Sequence, residues 1–283
     1  MKQVKGRITI LVDNIVPGRS EAIGEHGFSA YVETDQGNFL FDTGKGKALL
    51  HNALLFQRDL GKVKEIILSH SHGDHTGGLP DVLRLQVKRP VNVRSHPDIF
   101  ITRYRIKDGK KSYSGIPYTR GYLEKMGARF VFNRGYTRIQ EGIYLTGEIP
   151  RETSFEGGDM GDRFALHDGK QVPDIILDDQ SLVIHTEKGL LILLGCAHSG
   201  MINIIKYAMA MSGIDTIYGV IGGTHLGFSG EAQLKATIKA LKSFDIHHFI
   251  PSHCTGLEVL MHLREEFGDI FRFSYASLQF EFL

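Results

Sequence analysis

The 283-residue sequence contains no tryptophan, two cysteines and eight prolines. Two cysteines, Cys196 and Cys254, cannot form the disulfide framework of a small secreted domain, and a lone bridge between them is not expected in a reducing compartment. No apolar run approaches the roughly 20 residues needed to cross a bilayer; a typical long one is "GLLILLG" at 189–195. The basic start "MKQVKG" is not followed by the apolar stretch of a signal peptide, so cytoplasmic residence, without membrane association, is the default expectation. Strong charge of either sign is also missing, the formal net charge being +1. What remains, 42% hydrophobic and 23% charged residues, is the composition of a globular protein with a substantial core. The length suits a single domain, 1–283, with room for a sizeable insertion.

The charge is unevenly placed. Between Lys88 and Arg138 lie thirteen Lys and Arg residues against three acids, Asp98, Asp108 and Glu124. A field of this sign attracts anionic ligands, although a solvated basic face has the same composition. Residues 88–165, rich in Arg, Lys, Tyr and Gly and carrying loop-like stretches at 107–111 and 156–162, read as a basic insertion or lid within the domain.

Elsewhere the patterning is regular. Strands are expected at 7–14 and in two runs around the turn Asp35-Gln36-Gly37, the second ending in Asp42-Thr43-Gly44. Apolar residues at near-helical spacing predict a helix over 45–60, stopped by Gly61, and 63–69 reads as a buried strand. In the second half a hairpin ends at Gly195, and strands at 216–221 and 246–250 alternate with helices at 200–211, 231–243 and 256–267. Short strands at 91–94, 129–132 and 143–146 and a helix at 118–127 fall within the basic segment. Sheets sandwiched between helices accommodate both halves.

The chemistry concentrates in "LSHSHGDHTGG" (68–78), where His70, His72, Asp74 and His75 occupy six positions after a buried strand. Imidazoles and carboxylates are ligands of Zn²⁺ and related metals. His70 and His72, two apart in extended chain, point the same way, and the turn at Gly73 carries Asp74 and His75 toward a second ion. Three further histidines each follow an apolar strand in a Gly- or Ser-marked turn: His198 in "LLGCAHSG", His225 in "GGTHLG" and His253 in "FIPSHCTG". Strand-end loops at one edge of a sheet are where α/β sites collect. Asp178 and Asp179 are candidates to orient a ligand histidine or are ordinary turn residues. His26, in "EHGFSA", is placed to form a loop over the metals.

With H-x-H-x-D-H intact at 70–75, Asp42-Thr43-Gly44 at the end of an early strand, and His253 after a late one, the sequence resembles the metallo-β-lactamase superfamily. "GCAHSG" and "GGTHL" narrow the resemblance to proteins like dihydropterin–ribofuranosylaminobenzene phosphate synthase. The resemblance implies an α/β (α+β sandwich) αββα fold, with two mixed sheets flanked by helices. It also implies two divalent ions held by His70, His72, Asp74, His75, His198 and His253, with Zn²⁺ first and Mn²⁺ or Fe²⁺ suited to the same ligands. The superfamily usually supplies a bridging aspartate where this chain has Cys196. Three readings stand: His198 serves alone, the Cys196 thiolate joins it, or the bridging role is lost.

The implied activity is hydrolysis of a small anionic, phosphorylated molecule by a metal-bound hydroxide, with Asp74 orienting the attack and His225 acting as general acid or stabilising developing charge. The alternative is a condensation of the pterin-synthase type. A nuclease and a non-catalytic metal sensor are weaker readings, because there is little room for a nucleic-acid-gripping domain and because structural sites prefer four closed ligands. His72 also speaks against a diiron site of the kind that carries glutamate at this position. Oligomeric state is not written in the sequence.

Overall fold

The computed structural model describes residues 3–156 and 161–283, so positions 157–160 of the loop expected at 156–162 lie outside the described residues. In chain order the first half comprises β1 (Gly6–Val12), β2 (Ser29–Thr34), β3 (Gly37–Phe41), α1 (Leu49–Leu55), β4 (Glu65–Ile67), α2 (Gly73–Thr76), α3 (Leu79–Leu85) and β5 (Val91–Ser95). The basic segment continues with β6 (Arg103–Lys107), β7 (Lys110–Tyr113), α4 (Arg120–Lys125), β8 (Ala128–Phe132), β9 (Thr137–Gln140), β10 (Ile143–Leu145), β11 (Arg163–His167) and β12 (Lys170–Pro173). The remainder is β13 (Leu182–Thr186), β14 (Gly189–Leu194), α5 (Met201–Ser212), β15 (Thr216–Gly223), α6 (Glu231–Leu241), β16 (Asp245–Ile246), β17 (Phe249–Ser252), α7 (Leu257–Phe267) and β18 (Gln279–Phe282). Among the described residues no helix is long and apolar enough to cross a membrane.

Two mixed sheets form the body. The first has the order β18-β1-β2-β3-β4-β5-β8 and the second β16-β15-β14-β13-β10-β9, with β17 also pairing β15. Alternation along the strands explains why they stack and why both carry helices. Phe39 and Phe41 of β3 turn toward the space between the sheets, where they meet Leu191 and Leu193 of β14. Leu40, between the two phenylalanines, faces α1 and α3, while Leu190, Ile192 and Leu194 face α5, α6 and α7. Residues one apart thus serve different layers, and β14 and the buried half of β3, Phe39–Phe41, are apolar at every position because neither face meets water there. The result is an αββα sandwich.

Residues 88–165 are shared among three sheets. β5 and β8 extend the first, β9 and β10 extend the second, and β6 and β7 pair with β11 and β12 in a separate four-stranded sheet of order β12-β11-β6-β7. The expected helix over 45–60 is shorter than its periodicity suggests. The backbone N–H groups of Lys45, Gly46 and Lys47 donate to the Glu25 carboxylate, and Gly46 has φ +104°, so helical geometry begins at Leu49. The strand expected at 246–250 is likewise divided. His247 N–H donates to Ile217 O and Val220 N–H to His248 O, which leaves β16 and β17 as two short pairings along β15.

The two sheets close tightly at one end. Gly195, following β14, packs on Ser69, following β4, so that an added Cβ would sit 2.2 Å from Ser69 Oγ. Gly195→Ala is therefore expected to wedge this end apart and cost about 1–3 kcal/mol, the usual penalty of overpacking, measurable by urea unfolding; a stability unchanged within error would show that the contact yields easily.

Candidate metal centre

Parallel strands of both sheets end on this closed edge, and five of the strands ending there hand over a side chain of interest. β3 is followed by Asp42, β4 by Ser69 and His70, β14 by Cys196 and His198, β15 by His225, and β17 by His253. Four of these exits, at Asp42, Ala197, His225 and His253, have positive φ at a non-glycine residue. Such conformations cost free energy and persist where surrounding packing over-determines them.

Two sets of ligand atoms converge here. In the first, His72 Nδ1 lies 3.0 Å from His70 Nε2 and 3.2 Å from His198 Nε2. In the second, His253 Nε2 lies 3.3 Å from both His75 Nε2 and Asp74 Oδ2, and His75 Nε2 lies 3.8 Å from Asp74 Oδ2. A tetrahedral zinc with bonds of about 2.0–2.1 Å places its ligand atoms roughly 3.3 Å apart, so both sets have the spacing of ligands around an ion. Cys196 Sγ groups with His70 and His198 and also with His75 and His253, its distance to His75 Nε2 being 3.1 Å. The sulfur thus stands between the two sets, where a bridging ligand belongs.

The sequence placed His70, His72, Asp74, His75, His198 and His253 in one centre, and the structure brings all six together. His225 lies beside it, its ring 4.3 Å from that of His198 and 4.9 Å from Phe228. His26 Nε2 is 3.3 Å from Asp74 Oδ2, on the rim.

The ligand rings are held from behind. His75 Nδ1 donates to Asp42 Oδ2 at 2.7 Å, and the same oxygen accepts the Ser69 hydroxyl at 2.7 Å. Ser69 Oγ in turn accepts from His70 Nδ1 at 2.9 Å, and Asp42 Oδ1 accepts the Ser69 backbone N–H. One buried carboxylate therefore fixes a ring of each set with its Nε2 facing the centre. His253 Nδ1 donates to Asn14 Oδ1 at 2.8 Å with the same effect.

Asp178 and Asp179 act one residue away from the rings. Asp178 accepts the Ser71 N–H, between His70 and His72, and Asp179 accepts both the N–H and the hydroxyl of Ser199, next to His198. Arg103 of β6, 1% exposed, lies beneath this loop and binds Asp174, Asp178 and the Ser71 hydroxyl. Asp42, Asn14, Ser69 and Arg103 were not assigned these roles from sequence. The Asp42-Thr43-Gly44 motif was the one available signal among them, since the other partners are scattered along the chain.

The electrostatics follow burial. Burial pushes His70 and His72 well below the usual imidazole range, and neighbouring histidines add to the effect, so both present lone pairs. Burial would also lower His75, but Asp42 and Asp74 carry it up to about 9. Asp74, which burial alone would raise, is held well below the carboxylate range by His75 and His253. A metal entering the second set therefore displaces a proton from His75.

Both sets open on a cavity of about 1040 Å³. Its wall includes Lys45, Arg105 and Arg163, with Tyr113, Tyr118 and Phe228 supplying aromatic surface. Among the described residues, Arg105 is the one cation of 88–138 on this wall. Several others are engaged elsewhere, Arg94 with Glu65, Arg134 with Asp98 and Glu148, and Arg120 with Glu124.

Asp42→Asn keeps a residue that tolerates positive φ but replaces a carboxylate oxygen with a donor or a weaker acceptor. Metal affinity is expected to fall about 10–100-fold, read by competition with a chromophoric chelator, and wild-type affinity would remove Asp42 from this role. Arg103→Met strands two buried carboxylates, and burial already presses Asp178 above its ordinary range against the pull of Arg103. The expected loss is about 3–5 kcal/mol in denaturant unfolding, and a loss below about 1 kcal/mol would mean that water reaches the pair.

Comparison with known proteins agrees with this geometry. The sequence profile of the metallo-beta-lactamase superfamily matches residues 23–201. The chain is 32% identical over 279 residues to the 7,8-dihydropterin-6-methyl-4-(beta-D-ribofuranosyl)-aminobenzene-5'-phosphate synthase of Methanocaldococcus jannaschii, covering 96% of this chain and 95% of the relative. It is 34% identical over 259 residues to an uncharacterized protein of the same organism, covering 91% of this chain and 94% of that one. A crystal structure described as a metal-dependent hydrolase of the beta-lactamase superfamily superimposes with a TM-score of 0.82 at 29% identity, covering 98% of both chains. With a profile over more than half its length, a full-length relative and a shared fold, the chain belongs to the metallo-beta-lactamase superfamily.

Proposed function

We propose that the protein is a metal-dependent hydrolase of a small anionic, phosphorylated substrate, using two divalent ions. The observation that carries this reading is the opening of two tetrahedrally spaced ligand sets into one cavity with cationic and aromatic walls. His70, His72 and His198 would hold one ion and Asp74, His75 and His253 the other, with the Cys196 thiolate between them. Zinc suits this donor set first, the sulfur disfavouring hard ions. Bound there, such ions would lower the pKa of a water toward about 7 and polarise the scissile group.

The chain's own residues supply the rest. Asp74 presents Oδ2 to the centre and to the His26 ring, where it can orient an attacking water by accepting its proton in a hydrogen bond. His225, on the cavity wall beside His198, is placed to protonate a leaving group or stabilise charge developing on it. Arg163 reaches within 3.4 Å of His72 Nε2, so an anion it grips lies next to the centre. Lys45 lines the same space and suits an outer oxygen of a phosphate, while Arg105 on that wall is paired with Asp162.

A second reading is condensation of the kind named for the M. jannaschii relative, which joins a dihydropterin to a ribosyl aminobenzene phosphate. It is favoured by the full-length similarity and by a cavity at the upper end of the range for small-molecule sites.

Metal-replete protein is expected to hydrolyse at least one member of a panel of phosphomonoesters, phosphodiesters and phosphorylated thioesters or lactones, and to lose this activity on chelation. Arg163→Ala is expected to weaken apparent substrate binding about 10–100-fold, the worth of one charge-assisted contact. No turnover across the panel, with product forming from the two condensation partners, would replace hydrolysis by the second reading.

A further inference from the structure

The chain has two cysteines in 283 residues, and both lie at this site. Cys196 belongs to the proposed dinuclear centre, whereas Cys254 has no part in it. We propose that Cys254, His225 and Cys196 form a third, thiophilic metal site, an inhibitory one that takes Zn²⁺ or a comparably soft ion after the first two positions are filled.

The geometry comes from three adjacent parallel strands. β14, β15 and β17 lie side by side, and Cys196, His225 and Cys254 each follow the C-terminal end of one of them. Their ligand atoms, two sulfurs and an imidazole nitrogen, all lie within 4.8 Å of one another. All three residues face the large cavity, which leaves a fourth position open to water or substrate. The backbone is arranged around the second sulfur. The His225 N–H donates to Cys254 Sγ at 3.2 Å, a bond that favours a thiolate, and a Cβ at Gly223 would lie 2.7 Å from that sulfur. Glycine at 223 thus keeps the space that Cys254 occupies.

The donor chemistry sets this corner apart from its neighbours. The first two sets are built mainly from imidazoles and a carboxylate, with a single sulfur shared between them, so each ion there would meet at most one soft ligand. Two sulfurs and one nitrogen select zinc, cadmium and cobalt over manganese and magnesium. Cys196 is common to all three sets, and a thiolate that bridges two ions has little donor capacity for another. An ion at Cys254 and His225 therefore binds more weakly than the first two and draws the Cys196 sulfur away from them. His225, proposed above as a proton donor, is withdrawn from that task at the same time.

This site adjoins the dinuclear centre, but its existence does not depend on the hydrolase reading. The test is a titration of chelator-stripped, thiol-reduced protein with Co²⁺, following thiolate-to-cobalt charge-transfer absorption, with parallel Zn²⁺ counting by equilibrium dialysis and elemental analysis. Three equivalents are expected, the third at least about tenfold weaker and accompanied by its own rise in charge-transfer absorption. Cys254→Ser and Cys254→Ala are expected to lose that step and keep the first two. Saturation of the wild type at two equivalents, or survival of the third in both variants, would overturn the proposal. Cadmium NMR of wild-type protein gives a readout that needs no variant. A resonance in the two-sulfur range supports the site, and resonances of ions with one sulfur or none, alone, count against it. In His72→Ala, loss of a tight equivalent with the Cys254-dependent step intact would support both sites. Two tight equivalents retained in that variant would speak against the dinuclear centre alone.

Discussion

The Asp42 carboxylate is the constraint on which the site depends. It sits where β3 ends, fully buried, and within hydrogen-bonding distance it meets the serine that follows β4 and the histidine that opens the other ligand set. Through Ser69 it reaches His70, so a single anion orients one imidazole on each side of the centre. Buried charge of this kind is retained at a cost, and its satisfaction by a backbone N–H, a hydroxyl and an imidazole N–H is what makes the cost bearable. Any displacement of this group would be felt by both sets of side chains at once.

The sandwich provides what the carboxylate needs. Each sheet contributes parallel strands that end on the same edge, and the glycine at 195 lets the two edges come close enough for groups following β4 and β14 to touch. Chain exits at Asp42, Ala197, His225 and His253 turn sharply through positive φ, and their strain is sustained by the buried strands behind them. The edge that carries the candidate site is in this sense the place where the regular alternation of the strands gives way to sharp turns.

Much of this was legible in the sequence, for identifiable reasons. The candidate ligands at 70–75 are contiguous and follow a buried strand, and His198 and His253 repeat one strand-then-turn pattern, so local signals pointed to side chains that the fold does bring together. The strands were legible too, because runs such as "GLLILLG" are apolar on both faces. Less legible was everything that depends on pairs distant in the chain. Arg103 and Asp178 are 75 positions apart, and nothing near either announces the other. The start of α1 depends on the carboxylate of Glu25, more than twenty residues away, which captures amides that periodicity alone assigns to a helix. The basic character of 88–138 was visible, but its division among ion pairs and three sheets was not, because charge counts carry no partners. Cys196 lay between readings for a similar reason, since the candidate ligands around it come from the ends of β4, β15 and β17 as well as from its own strand.

The burial of Arg103 has a consequence for how substrates reach the site. The β12-β11-β6-β7 sheet carries Arg163 and Tyr113 to the cavity wall, yet its root on β6 is anchored under the histidine loop by that arginine. Swinging the sheet outward as a rigid flap would drag the Arg103 guanidinium out of a dry pocket and away from the Asp178 carboxylate and the Ser71 hydroxyl. The sheet is thus a fixed wall, and what can adjust to a substrate on it are the side chains it presents to the cavity, Arg105, Tyr113 and Arg163.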